Sequence, residues 1–185
     1  MAKDLTEKEF GKLIQKHISK INFVKINLEN ESSIFGFITK ASDDFLMIEE
    51  TNDFSLAGIK IVPYAKVTSI RNGISDKISK VIYSEEGLIK FNHKIIDNTS
   101  LKNYESLFKS IKKQDFHCIV ESKKKDKDLF SIGEILEVGE KSVTIKNYDP
   151  TGKFNKKPHK ISFKNIELIN FNDNYSTIFK KYLRK

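Results

Sequence analysis

Few residues in this 185-residue chain have the types and spacing of catalytic machinery. His117 and Cys118 are adjacent, and a thiol beside an imidazole is the raw material of an activated nucleophile. Neighbouring strand residues, however, point to opposite faces, while a working pair must meet in space. Cys118 therefore reads as a buried, inert thiol. It is the only cysteine, so it closes no intramolecular disulfide, and His17, His93, His117 and His159 are too scattered to make a metal-ligand spacing. The carboxylate pairs Asp43-Asp44 and Glu85-Glu86 are sequence neighbours and read as solvated acids in turns. Thr151-Gly152-Lys153 lacks the upstream glycine of a phosphate-binding loop and opens no predicted helix. The expectation is a non-enzymatic protein with no cofactor and no metal.

Two cationic clusters are the more promising chemistry. Lys123, Lys124, Lys125 and Lys127 fall in a predicted hairpin loop, and Lys153, Phe154, Lys156, Lys157, His159 and Lys160 follow the turn Asp149-Pro150-Thr151-Gly152. Brought together, the two would make a cationic surface beside an aromatic ring, suited to an acidic partner or to phosphate backbones.

Composition tempers that reading. The chain carries 33 Lys and Arg against 25 Asp and Glu, a formal charge of +8, but only Arg71 and Arg184 are arginines. Lys, Ile and Asn make up 70 of the 185 residues, the signature of an AT-rich genome, which raises charge without selecting a surface. Position is more informative. Residues 1–92 carry 13 basic and 13 acidic side chains and residues 93–185 carry 20 and 12, so the excess lies wholly in the second half. The near absence of Arg weighs against bidentate base recognition. No apolar stretch resembles a signal peptide or a membrane span, and the expected location is cytoplasmic.

The elements that must position these residues read as β-rich. Thr6 with Glu9 makes a capping box, and Phe10, Leu13, Ile14 and Ile18 recur at helical spacing, predicting a helix over 5–20. Val24, Ile26 and Leu28 alternate with polar residues in a strand that begins near Phe23. Strands follow over 34–40, 45–50, 59–63 and 67–70, with a loop expected over 51–57.

The same order recurs later in the chain. A shift of 93 pairs Ile14 with Leu107, Ile18 with Ile111, Phe23 with Phe116 and Ile26 with Ile119. A shift of 97 pairs Gly36 with Gly133 and Ile48 with Ile145, and a shift of 99 pairs Tyr64 with Phe163 and Ile70 with Ile169. Each step falls in a predicted loop, where length changes are tolerated. Both copies end in an apolar tail, Ile78, Val81 and Ile82 in the first and Tyr175, Ile178, Phe179 and Tyr182 in the second, predicted as short closing helices. The domains are therefore set at 1–87 and 100–185, with a connector at 88–99 of some strand character and Ser100 as the cap of the second leading helix.

A helix followed by five short bent strands, with Gly36-Phe37-Ile38, Phe45-Leu46-Met47-Ile48 and Ile61-Val62-Pro63-Tyr64 in order, resembles the Sm-like fold of Sm, LSm and Hfq proteins. The resemblance covers about residues 5–72 and 100–171. It implies a mainly β chain with short helices, two Sm-like or SH3-like small β-barrels in tandem, each preceded by an α-helix. The whole chain is also similar to an uncharacterised bacterial protein family with an Asp-x-x-Gly segment, here Asp149 to Gly152, which supplies no function. The Sm family binds unpaired RNA bases through an Asn after the middle turn and an Arg-Gly or Lys-His pair in the last. Those positions look like Leu46 and Pro63-Tyr64 in the first copy, and Val143 and Ser162-Phe163 in the second, so the RNA signature is absent. Fold alone does not license function. The expectation is thus protein-protein recognition of an unknown acidic partner by an adaptor or immunity-type protein. Single-stranded RNA or DNA binding through the basic second copy is the alternative.

Overall fold

The leading helix starts where the sequence caps it. The Thr6 hydroxyl accepts from the Glu9 backbone N–H, and the Glu9 carboxylate accepts from the Thr6 N–H at 2.9 Å. This satisfies two donors that a helix start leaves orphaned. The computed structural model describes residues 6–124 and 127–184, and in it helix α1 spans Glu7–Ser19.

Strands β1 (Phe23–Leu28), β2 (Ser33–Ala41), β3 (Phe45–Asn52) and β4 (Ser55–Pro63) form an antiparallel meander. A 3-10 turn at Tyr64–Lys66 then leads into β5 (Val67–Arg71), which pairs back onto β1, giving the order β5-β1-β2-β3-β4. The expected loop over 51–57 is instead a tight hairpin. Asp53 and Phe54 both take positive φ, 43° and 58°, the hand that fits the twist of flanking strands. Helix α2 (Ile74–Glu85) follows, its start tied by Arg71, which forms two hydrogen bonds to the Asp76 carboxylate at 2.8 and 2.9 Å.

The second half repeats the plan. After helices α3 (His93–Asn98) and α4 (Tyr104–Lys113) come β6 (Cys118–Lys124), β7 (Lys127–Val138), β8 (Ser142–Asn147) and β9 (His159–Ser162). A 3-10 turn at Phe163–Asn165, β10 (Ile166–Phe171) and the short helix α5 (Asn174–Phe179) complete it, with strand order β10-β6-β7-β8-β9. The chain divides into two compact units, up to Ile96 and from Asp97. Within each unit the sheet is antiparallel and open: among the described residues the fifth strand pairs with the first, while neither β5 with β4 nor β10 with β9 is paired.

Ladder registers define the repeat residue by residue. Gly36 faces Glu50 and Gly133 faces Asn147, so the shift of 97 holds through β2 and β3. Leu46 faces Val62 and Val143 faces Ile161, in agreement with 99. The first shift is 94 rather than 93: Val24 faces Gly36 where Cys118 faces Gly133, and Ile26 faces Ile70 where Val120 faces Ile169. Ring packing agrees, since Phe10 meets Tyr64 edge-on at 5.3 Å and Tyr104 stacks on Phe163 at 5.1 Å.

Both faces of the first unit's sheet bury apolar side chains. One face buries Val24, Ile26 and Ile34, and the other buries Phe23 and Phe37, which pack with Tyr83 beneath Leu88, Ile89 and Phe91. The stretch expected as a connector with strand character is thus part of the first unit's packing, and its later half is helix α3. The cap of α4 is Asn103, whose side chain accepts from the Ser106 N–H at 2.8 Å; Ser100 lies upstream and bonds the Ser106 hydroxyl. Among the described residues no helix is long and apolar enough to cross a membrane.

Candidate binding site

In the first unit β1 and β2 turn around at Leu28 and Ser33. By the 94 and 97 shifts the counterparts are Ser122 and Phe130, yet β6 and β7 continue past them as a two-stranded ribbon. The lysine insertion expected as a loop therefore lengthens both strands. Lys123 faces Asp128 and Lys124 faces Lys127 across the ribbon, and all four are exposed; Lys125 lies outside the described residues.

Directly opposed residues share a face of an antiparallel pair. One face of the ribbon thus carries Phe130 with Glu121, Lys123 and Asp128, and the other carries Leu129 with Ser122, Lys124 and Lys127. Leu129 is 46% exposed and Phe130 58% exposed. Sequence reasoning missed both, because an apolar residue in a predicted strand is assigned to the core unless something shows that nothing packs on it.

The second cluster is anchored by its turn. The Asp149 carboxylate accepts from the Thr151 hydroxyl at 2.7 Å and from the N–H groups of Thr151 and Lys153 at 2.8 and 3.1 Å, and these bonds hold it below the usual carboxylate range. Gly152 is buried, with its carbonyl accepting from the Arg184 N–H at 2.8 Å, so this turn clasps the chain's later residues. Lys153, Lys156, Lys157, His159 and Lys160 are all exposed. Phe154 is half-buried: it packs on Tyr148, and the Lys146 ammonium sits 4.1 Å from its ring centroid, which occupies a face that a base would stack on.

His159 joins the two clusters. Its Nδ1 lies 3.1 Å from the hydroxyl of Ser131, a buried residue at the root of the ribbon on β7, while its own strand pairs with β8 at Ile145. The basic segment and the ribbon are thereby held on one unit. The arrangement offers cations around two exposed apolar side chains, with the Ser131 hydroxyl and the His159 imidazole as the hydrogen-bonded pair between the clusters.

The remaining chemistry is interior. Cys118 is fully buried, and burial together with the charge of Asp173 pushes its thiol well above the ordinary value. Burial lowers His117, whose Nδ1 has no hydrogen-bond partner. Asp43, Asp44, Glu85 and Glu86 are exposed, as expected, but only the first pair lies in a bend: Glu85 ends helix α2 and Glu86 caps it. Glu49 is the surprise: only 5% exposed and with Oε2 unpartnered, it is pushed up to about 7 by burial. Among the described residues no group of His, Cys, Asp and Glu could hold a metal ion. Comparison with protein-family models, curated proteins and solved structures finds no match.

Proposed function

We propose that this chain is a non-catalytic binding protein whose second unit grips an acidic protein partner with the β6–β7 ribbon. The observation that carries the reading is the exposure of Leu129 and Phe130 among Lys123, Lys124 and Lys127. Protein interfaces concentrate binding energy in a few desolvated apolar anchors, and rim charges supply steering and orientation. On this reading each unit is an Sm-like small barrel acting as a scaffold. The supports are the leading helix, the strand order β5-β1-β2-β3-β4 and its copy, and the 3-10 turn before each last strand.

The second reading is single-stranded RNA or DNA binding. It is favoured by the link from His159 to Ser131, which adds Lys153, Lys156, Lys157 and Lys160 to the ribbon's cations, with Phe130 as the stacking ring. Against it stand the scarcity of arginine and the Lys146 cap on Phe154. Arg71 is engaged with Asp76.

A photoreactive residue placed at Phe130 in the full chain, cross-linked in cells, separates the readings. A discrete protein adduct that survives nuclease and disappears in Lys123→Glu/Lys124→Glu is the expected result. Adducts removed by nuclease, with salt-sensitive release of oligonucleotide, would transfer the site to nucleic acid.

A further inference from the structure

The second unit buries a titratable group where the first buries a phenyl ring. One step before the Cys118 and Gly133 pair, His117 falls level with Glu134, which in turn faces Lys146 on β8. By the shifts of 94 and 97 the first-unit counterparts are Phe23, Phe37 and Glu49, of which Phe23 and Phe37 pack edge-on at 5.3 Å. The imidazole of His117 is only 7% exposed, and its Nδ1 has no hydrogen-bond partner. An unpaired polar atom in the interior costs stability that a phenyl ring at the same place would not.

Residues 174–184 lie over this group. Alternate residues share a face of a strand, so His117 lies on the side of Ile119 and Ile132, which with Tyr148 form the cluster covered by Phe154, Phe179 and Leu183. The His117 ring is 5.9 Å from that of Tyr148, which stacks on Phe179 at 5.3 Å. Lys180 fastens the tail two residues before the imidazole, donating to the Asp115 carbonyl at 2.6 Å and pairing with its carboxylate at 2.7 Å. Farther along, the Arg184 N–H donates to the Gly152 carbonyl, in the turn that precedes Lys153 and Phe154. The tail therefore bears both on the buried imidazole and on the turn that carries the second basic cluster.

We propose that residues 174–184 are an acid-released latch: protonation of His117 beneath them frees the tail, and with it the Asp149 to Gly152 turn. Protonation makes Nδ1 a donor with no acceptor and places a second positive charge near Lys180 in a site shielded from water. The groups that face the imidazole are Lys180 on the tail, exposed Asp115 ahead of β6, Glu134 on β7 and, one strand farther, Lys146 and Tyr148 on β8; Asp173 and Tyr175 on the α5 side act on Tyr148. Burial and Lys180 outweigh Glu134 and Asp115, holding His117 below the ordinary 6.5 of histidine. Its contribution to closure is therefore present above that value and lost as pH falls through the lower folded one. Moving the tail aside returns water to the ring and separates it from Lys180 while the strand ladders stay paired. Opening also loosens the anchor of Lys153 and Phe154, so binding through that cluster becomes pH dependent; this consequence rests on the binding reading above, whereas the latch does not.

Amide hydrogen exchange of the full chain between about pH 7.5 and 5, corrected for the intrinsic rate at each pH, tests the latch. The Thr177 and Arg184 amides donate to the Asp173 and Gly152 carbonyls. Their protection should fall at least about fivefold on acidification while β6, β7 and β8 keep theirs. His117→Phe, the first unit's residue at this position, should hold the tail closed at both ends of the range. His117→Gln, neutral throughout, should likewise remove the pH dependence even where it lowers stability, and His93→Gln, at an exposed position on α3, should retain it. The proposal is overturned by tail protection that does not change with pH, or by a change that persists in both His117 variants. Loss of protection in β6 to β8 together with the tail would also overturn it, as acid unfolding of the whole unit. No readout involves a partner, so failure of the latch and failure of the binding reading are separable.

Discussion

The imidazole Nδ1 of His159 lies 3.1 Å from the Ser131 hydroxyl, tying the short strand β9 to the root of the ribbon. β9 has only four residues, whose ladder partners all lie on β8, so this side-chain contact adds a tie to β7 that the backbone ladder does not supply. Ser131→Ala removes one neutral hydrogen bond, an effect of about 1 kcal/mol. Global stability should change little, while amide hydrogen exchange over residues 159–162 should speed several-fold. Unchanged exchange there would show that the contact does not position the segment.

The ribbon can be altered without harm to the fold. Phe130 and the lysines beside it are exposed, and substitutions at such positions shift stability by no more than about 0.5 kcal/mol. Phe130→Ala should therefore leave the urea midpoint of the chain in place while weakening partner binding at least tenfold, as expected for an interface anchor worth about 1.4 kcal/mol or more. A midpoint that falls with affinity would mark Phe130 as structural.

Gly36 and Gly133 are positions where a side chain has no room. A Cβ on Gly36 would lie 2.1 Å from the Glu49 carbonyl oxygen, and one on Gly133 would lie 2.1 Å from that of Lys146. The obstacle is the backbone of the neighbouring strand, so relief requires the strands to part. Gly36→Ala or Gly133→Ala should each cost more than about 2 kcal/mol in urea denaturation, whereas Gly11→Ala, with open space around it, should not destabilise.

Stability should also depend on pH through Glu49. Burial raises its carboxyl from 4.5 to about 7, so the folded chain holds this proton more tightly than the unfolded chain. Its contribution is fully present below the unfolded value and is lost as pH rises through about 7, an effect of about 3 kcal/mol. Asp76 acts in the opposite sense: its bonds from Arg71 hold it low, so its contribution is present above 3.8 and lost as pH falls through the folded value. Glu49→Gln should flatten the decline between about pH 5 and 7 in thermal melts, while Asp76→Asn should lower stability at neutral pH and leave that decline intact.

Much of the fold was legible because its signals are local. The Thr6 and Glu9 pair forms the predicted capping box, and the alternation of Val24, Ile26 and Leu28 places β1. The glycines at 36 and 133 align because both strands need the same close approach. The one-residue error in the first shift has an equally local cause. Cys118, Ile119 and Val120 are all buried, on both faces of β6, so no apolar-polar alternation marks which side each takes. Likewise Asp53-Phe54 lacks the Asn-Gly or Asp-Gly signature of a two-residue hairpin, and the tight turn went unread.

The helix-and-five-strand order, its repetition and the concentration of positive charge in the second half are all readable from the residues alone. Those features depend on residues within a few positions of each other, or on simple sums. Folding in three dimensions is what buries Glu49 beside Phe37 and Ile59 on the neighbouring strands, and what leaves Leu129 and Phe130 in solvent on an extended ribbon. It also decided that Ile74, Ile78 and Val81 face outward while Asp76 is buried. The reason is that propensity and periodicity set which way a side chain points, but its exposure depends on what segments distant in sequence lay over that face.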